Sequence, residues 1–181
     1  RNLVVIGAGS GGLVTAYIAA AVKAKVSLIE KHKMGGDCLN TGCVPSKALI
    51  RSARFLHDTR RANALGFKNT TVDYDFADIM QRVAGKVKAI EPHDSVERYT
   101  DLGVDVIQGA AEVLDPYRVK VNGETLTTRN IVIATGASPV IPELPGLEDD
   151  DILTSAPPLP SCSAPTRAGQ RAPASGRRPF L

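Results

Sequence analysis

The hydrophobic positions along the chain change period several times, and each change marks an element. Leu3 to Ile6 form a short apolar run of strand type, Gly7 to Gly12 interrupt it, and Leu13 to Lys23 continue as an alanine-rich helix. Val26 to Ile29 make a second apolar strand that ends on Glu30. After Pro45 the pattern predicts a helix to about Arg61, with Leu49, Ala53 and Leu56 on one face. Asn63 to Tyr74 are polar and loop-like; Phe76, Ile79, Met80, Val83, Val87 and Ile90 then recur at the spacing of an amphipathic helix. Pro92 removes a backbone donor and predicts a break, beyond which Val96, Tyr99 and Leu102 resume the pattern up to Gly103. From Val104 the period becomes two. Val104 to Ile107, Ala110 to Leu114 and Arg118 to Val121 read as short strands, and Asn122-Gly123 is a hairpin turn into Glu124 to Thr128. Together they predict a small antiparallel insertion. Ile131 to Ala134 are continuously apolar, as a buried parallel strand would be.

Leu3 to Val22 carry no charge and are long enough to span a bilayer. A basic leader and a cleavage pattern are missing, however, and the glycines between Gly7 and Gly12 would weaken a continuous helix. Strand, tight turn and helix explain the stretch better, with no membrane role. Gly7, Gly9 and Gly12 then spell GxGxxG in the setting that gives this motif meaning, with a strand before it, a helix after it and an acid closing the next strand. The first glycine permits the turn, the second lets backbone approach a pyrophosphate, and the third lets helix and strand pack. Phosphates would sit at the helix N-terminus, and Glu30 would accept hydrogen bonds from a ribose. The pattern does not by itself separate NAD from FAD.

A second constellation is GGDCLNTGCVPSK, from Gly35 to Lys47. Cys38 and Cys43 enclose so few residues that a bond between them removes little chain entropy, which makes a structural staple a poor explanation. Along a regular helix the two Cα atoms would stand about 7.5 Å apart in rise, too far for disulfide geometry, so the backbone between them must bend. Gly42 allows the bend, and Pro45 suits a first helical turn. Cys43 is thereby placed at a helix N-terminus, where partial positive charge favours a thiolate. The pair is a candidate redox disulfide.

This block resembles the redox-active motif of the class I pyridine nucleotide-disulfide oxidoreductases, and its PSK ending is similar to the dihydrolipoamide dehydrogenase and mercuric reductase branch. The sequence ATGxxP from Ala134 to Pro139 resembles the second flavin fingerprint of the same family. Across Leu3 to Leu153 the resemblance implies an α/β, Rossmann-like FAD-binding domain, with a parallel sheet and a small antiparallel insertion. It implies FAD contacts at Gly7, Gly9, Gly12, Glu30, Lys31, Gly36, Asp37, Lys47, Ala111, Thr135 and Gly136. Cys43 would be the thiolate facing the flavin, Cys38 the interchange thiol, and Lys47 a residue beside the flavin N5. A complete enzyme would pass electrons from NAD(P)H through FAD to the cysteine pair, and on to a small-molecule disulfide such as lipoamide or to mercuric ion. The family is homodimeric, but its interface domain, its nicotinamide domain and the associated histidine base are not in this sequence. The chain by itself is therefore expected to hold flavin weakly and to be catalytically silent. One departure stands out, since Asp37 occupies a position where many relatives carry threonine against the flavin phosphates.

Composition narrows the alternatives. The 181 residues are 43% hydrophobic and 23% charged, enough for one real core. Net charge is +3, but 156–181 contribute four arginines and no acids, leaving 18 basic against 19 acidic residues elsewhere. A nearly neutral body argues against nucleic-acid binding. Three cysteines, two of them the close pair, fit a reducing compartment and a cytoplasmic protein. His32, His57 and His93 have no second ligand at metal spacing and read as surface or satisfied histidines, so no metal site is expected. The FAD-binding domain is assigned to 1–155 and a non-family tail to 156–181, where six of twelve prolines fall. The tail reads either as an out-of-frame translation or as a non-family extension. Two rival functions remain: an NAD-binding dehydrogenase with inert cysteines, separable by the absence of yellow colour, and a silent truncated product.

Overall fold

The computed structural model describes residues 1–140. The tail and the domain boundary at 155 lie outside these residues. The chain opens with β1 (Leu3–Ile6), α1 (Ser10–Ala21) and β2 (Val26–Glu30). A long excursion follows, made of α2 (Gly36–Asn40), α3 (Cys43–Arg60), α4 (Phe76–Ile90) and α5 (Val96–Asp101), with 3-10 turns at Ala62–Leu65 and Glu91–Asp94. It returns through β3 (Asp105–Gln108), a hairpin sheet of β4 (Ala111–Asp115), β5 (Arg118–Val121) and β6 (Glu124–Thr127), and finally β7 (Asn130–Ile133).

The main sheet runs β3-β2-β1-β7, all parallel, with Val4 opposite Ser27 and Ile131. β1 and β2 are almost wholly buried, because α1 covers one face of the sheet and the hairpin sheet the other. On the α1 side Val5, Leu13, Ala16, Leu28 and Tyr99 pack together; on the other, Val4, Ile6 and Ile29 meet Val119 and Val121. Tyr99 also donates from its hydroxyl to the Leu13 carbonyl at 3.1 Å, in a buried position. Burial raises the pKa of this hydroxyl, so it stays a donor. At the tip of the hairpin, Asn122 (φ 50°) and Gly123 (φ 84°) take the paired left-handed conformation of a tight two-residue turn.

The structure corrects four expectations. β3 belongs to the parallel sheet and not to the antiparallel insertion, which has three strands. The excursion before β3 is long enough for a crossover, and buried Ser27 finds its hydrogen-bond acceptor in Asp105 Oδ2 at 3.0 Å. β7 is parallel as expected but lies at a sheet edge among the described residues, with Ile133 69% exposed. The helix carrying Pro45 begins two residues before it, so Lys47 is its fifth residue and lies past the first turn. Its inner face uses Pro45, Ala48, Leu49 and Leu56, while Ala53 is exposed. The break at Pro92 occurs as a 3-10 turn between α4 and α5. No helix among the described residues is long and apolar enough to cross a membrane.

Candidate functional site

The order of strands reverses at β1, whose neighbours β2 and β7 are reached in opposite directions along the sheet. Crevices beyond the carboxyl ends of strands at such a point are where doubly wound sheets bind ligands. Here the crevice is built from backbone. Gly7 leaves β1 at φ 102°, and a Cβ on it would stand 2.3 Å from the Ala134 oxygen at the end of β7. A Cβ on Gly12 would lie 1.7 Å from the Gly7 oxygen, and one on Gly36 would lie 2.6 Å from the Gly9 Cα. These contacts bring the start of α1, the end of β7 and the start of α2 as close as backbone allows. Gly35 N donates to the Ala8 oxygen at 2.9 Å and completes the seam. Gly9, which precedes α1, provides no side-chain cap, so the first amides of that helix remain donors for an anion.

The resulting cleft measures about 210 Å³ and is lined by Gly7, Gly9, Glu30, Lys31, His32, Lys33, Gly36, Asp37, Asn40, Ala134, Thr135 and Gly136. Of the expected cofactor residues it gathers Gly7, Gly9, Glu30, Lys31, Gly36, Asp37, Thr135 and Gly136, with Gly12 buried beneath the turn. Ala111 is placed elsewhere: it pairs with Val121 in the hairpin sheet and packs on the core beneath it. Lys47 is exposed on α3 and does not line the cleft. His32, Lys33, Asn40 and Ala134 are lining residues that the sequence reading did not select. The basic run directly after Glu30 was the available signal for the first two.

Glu30 has a role that the motif did not announce. Its Oε2 accepts from Ala8 N at 2.6 Å and its Oε1 from His32 N at 2.8 Å. The carboxylate thus clamps the glycine turn to the end of β2, and each oxygen keeps acceptor capacity for ribose hydroxyls. Asn40 closes the far wall by donating to the oxygens of Met34 and Gly36 at 3.0 and 2.8 Å.

The cysteines stand at the joint between α2 and α3. Gly42 adopts φ −108°, ψ −106°, and Thr41 N and Gly42 N both donate to the Asp37 oxygen. A Cβ on Gly42 would come within 2.9 Å of that oxygen, so the fold here needs glycine. The bend brings Cys38, half-buried in α2, against Cys43, exposed as the first residue of α3. The two sulfurs are side by side with no bond drawn between them. Hydrogen bonding with the Cys43 side chain, then burial and the charge on Cys43, raise the Cys38 pKa; Lys47 opposes them. Cys38 therefore holds its proton to higher pH than an ordinary cysteine thiol. Among the described residues no group of three or more His, Cys, Asp or Glu is placed to hold a metal ion.

A parallel sheet with a glycine-lined cleft at its switch point, and a cysteine pair at the next helix joint, are the arrangement of a dinucleotide-binding fold. The chain belongs to the pyridine nucleotide-disulphide oxidoreductase family, whose model matches residues 1–171. It is 33% identical over 166 residues to mercuric reductase of Staphylococcus aureus, covering 92% of this chain and 30% of that protein. It is 37% identical over 149 residues to dihydrolipoyl dehydrogenase of Acholeplasma laidlawii, covering 82% of this chain and 44% of that one. In structure it is similar to the HOCl-induced flavoprotein disulfide reductase RclA of Escherichia coli, with TM-score 0.61 and 30% identity over 81% of this chain and 30% of that one. The chain thus spans less than half the length of these relatives.

Proposed function

We propose that this chain is the FAD-binding portion of a flavin-dependent disulfide oxidoreductase. In the complete protein, electrons would pass from NAD(P)H through FAD to Cys38 and Cys43, and on to a small-molecule disulfide or mercuric ion. The observation that carries the reading is the cleft, in which Gly7, Gly9, Gly36 and Glu30 meet one helix joint away from the cysteines. FAD fits the donors present, with the pyrophosphate over the α1 amides and a ribose at Glu30. When bound it supplies two-electron transfer between a nicotinamide and a disulfide.

The cysteine pair would do the rest of the work in this portion. Two electrons and one proton convert a Cys38–Cys43 disulfide into a Cys38 thiol and a Cys43 thiolate. That distribution agrees with the raised Cys38 pKa and with the place of Cys43 at the start of an 18-residue helix. Lys47 lies close enough to act on Cys38 through its charge, which suits its proposed place beside the flavin. Once Cys38 has given up its proton to a base, its thiolate would attack a disulfide by exchange, releasing the other half as a thiolate, or bind a soft cation. Homodimeric assembly and a cytoplasmic location belong to the same proposal.

The test is a titration of FAD into the purified chain, followed by flavin fluorescence and absorbance, with NAD as competitor. Saturable binding that turns the protein yellow and resists NAD supports the reading. Binding of NAD in preference to FAD would overturn it in favour of a nicotinamide dehydrogenase.

A further inference from the structure

Glu30 is set from behind by a residue that does not line the cleft. Gln108 ends β3 opposite Glu30 in the register of the parallel sheet, and the next amide, Gly109 N, donates to the Glu30 main-chain oxygen at 2.9 Å. From that station Gln108 Nε2 donates to the His32 oxygen at 3.1 Å. His32 N is in turn one of the two donors that orient the Glu30 carboxylate, the other being Ala8 N on the glycine turn. The carboxylate, the loop after β2 and the end of β3 are thus joined in one run of hydrogen bonds.

Gln108 is itself held from the hairpin sheet. Asn122 Nδ2 donates to the Gln108 main-chain oxygen at 2.9 Å, reaching back from its left-handed position in the turn between β5 and β6. Gly109 leaves the room for this contact, because a Cβ there would overlap the Asn122 side chain. The hairpin that covers the core therefore has its tip tied to the strand behind the cleft.

These links fix an orientation as well as a place. A carboxylate held by two amides presents its remaining lone pairs in set directions; held by one, it turns about its soft terminal torsion. Without the Gln108 side chain the His32 carbonyl loses its tie, and the His32 amide is free to leave Glu30. We propose that Gln108, supported by Asn122, is a positioning residue of the dinucleotide site. Acting through His32, it aims the Glu30 carboxylate at the ribose 2′-hydroxyl and so sets the preference for a ribonucleotide over its deoxy counterpart. This role rests on the dinucleotide reading above, of which a ribose at Glu30 is a part.

The test is calorimetric titration of the 181-residue chain with ADP and with 2′-deoxy-ADP, probes that carry the pyrophosphate with and without the hydroxyl that Glu30 would read. Gln108→Met keeps the side-chain length and removes the donor; Asn122→Gly keeps the left-handed turn and removes the support behind it. Circular dichroism and thermal melting check that each variant folds. The unaltered chain should prefer ADP on the order of tenfold, the size of one hydrogen bond to a charged group. In Gln108→Met the preference should fall to about twofold or less, through weaker ADP binding at unchanged 2′-deoxy-ADP affinity, and Asn122→Gly should move it the same way by less. A merely structural role would lower both affinities together and leave their ratio intact. An intact ratio in Gln108→Met therefore overturns the proposal; if that variant does not fold, an intact ratio in Asn122→Gly overturns it instead. Equal binding of ADP and 2′-deoxy-ADP by the unaltered chain would also overturn it while leaving the dinucleotide reading in place. If the unaltered chain binds neither nucleotide and no FAD, the dinucleotide reading fails and this role with it.

Discussion

At the glycine turn, backbone touches backbone; at the cysteine joint a few residues downstream, side chains are left free to react. Gly7, Gly12 and Gly36 are positions where a Cβ would fall 1.7 to 2.6 Å from a neighbouring backbone atom, so the cleft is defined by what cannot be there. Cys38 and Cys43 are half-buried and exposed, and the Cys38 thiol is raised first by its hydrogen bond with the Cys43 side chain, then by burial and charge, with Lys47 against them. Both regions depend on glycine-shaped backbone, since Gly42 makes the joint as Gly7 makes the turn. The difference teaches that the two should fail differently: the cleft by steric exclusion, with loss of structure, and the thiol pair by changed titration, with structure kept.

The largest effect should come from Gly12→Ala. The added methyl group meets the Gly7 oxygen head on, and overpacking against backbone that cannot move is expected to cost on the order of 3 kcal/mol. Thermal denaturation should show the loss, and FAD binding should vanish with it. Normal stability and binding in this variant would show that the turn is looser than its contacts require.

Cys43→Ser should leave the melting temperature nearly unchanged while altering the other thiol. The causes that raise the Cys38 pKa come first from Cys43. A raised pKa keeps Cys38 protonated and unreactive until higher pH; removing those causes moves its titration down. Iodoacetamide alkylation of Cys38, followed by mass spectrometry against pH, is expected to begin at lower pH in the variant. An unchanged profile would mean that the two sulfurs do not communicate.

A smaller change of opposite sign is expected from Lys47→Gln. Lys47 lowers the Cys38 pKa, so its loss leaves less thiolate at a given pH. The exposed position screens the interaction, so the expected result is a slowing of Cys38 alkylation at fixed pH that is smaller than the change in Cys43→Ser. Faster alkylation would reverse the assigned role.

Much of this was legible in the order of residues. Period told strand from helix for β1, α1, β2 and α4, because one buried face imposes its spacing on the sequence that covers it. GxGxxG and the cysteine motif were readable for a related reason, as both are local solutions in which steric need or bond reach dictates residue type at neighbouring positions. What only the tertiary structure decided were relations between distant segments. Asp105–Gln108 alternates well enough for either sheet, and pairing with Val26–Glu30 alone made it parallel. Ile131 to Ile133 are apolar whether central or at an edge, and only strand order placed them at one among the described residues. Ala111 carries no signal of its own, and only the tertiary structure paired it with Val121 in the hairpin sheet. Glu30 was chosen for a ribose, yet its grip on Ala8 N needed the turn folded back upon β2. Local sterics are written residue by residue, whereas pairing and enclosure depend on which remote surface arrives to share them.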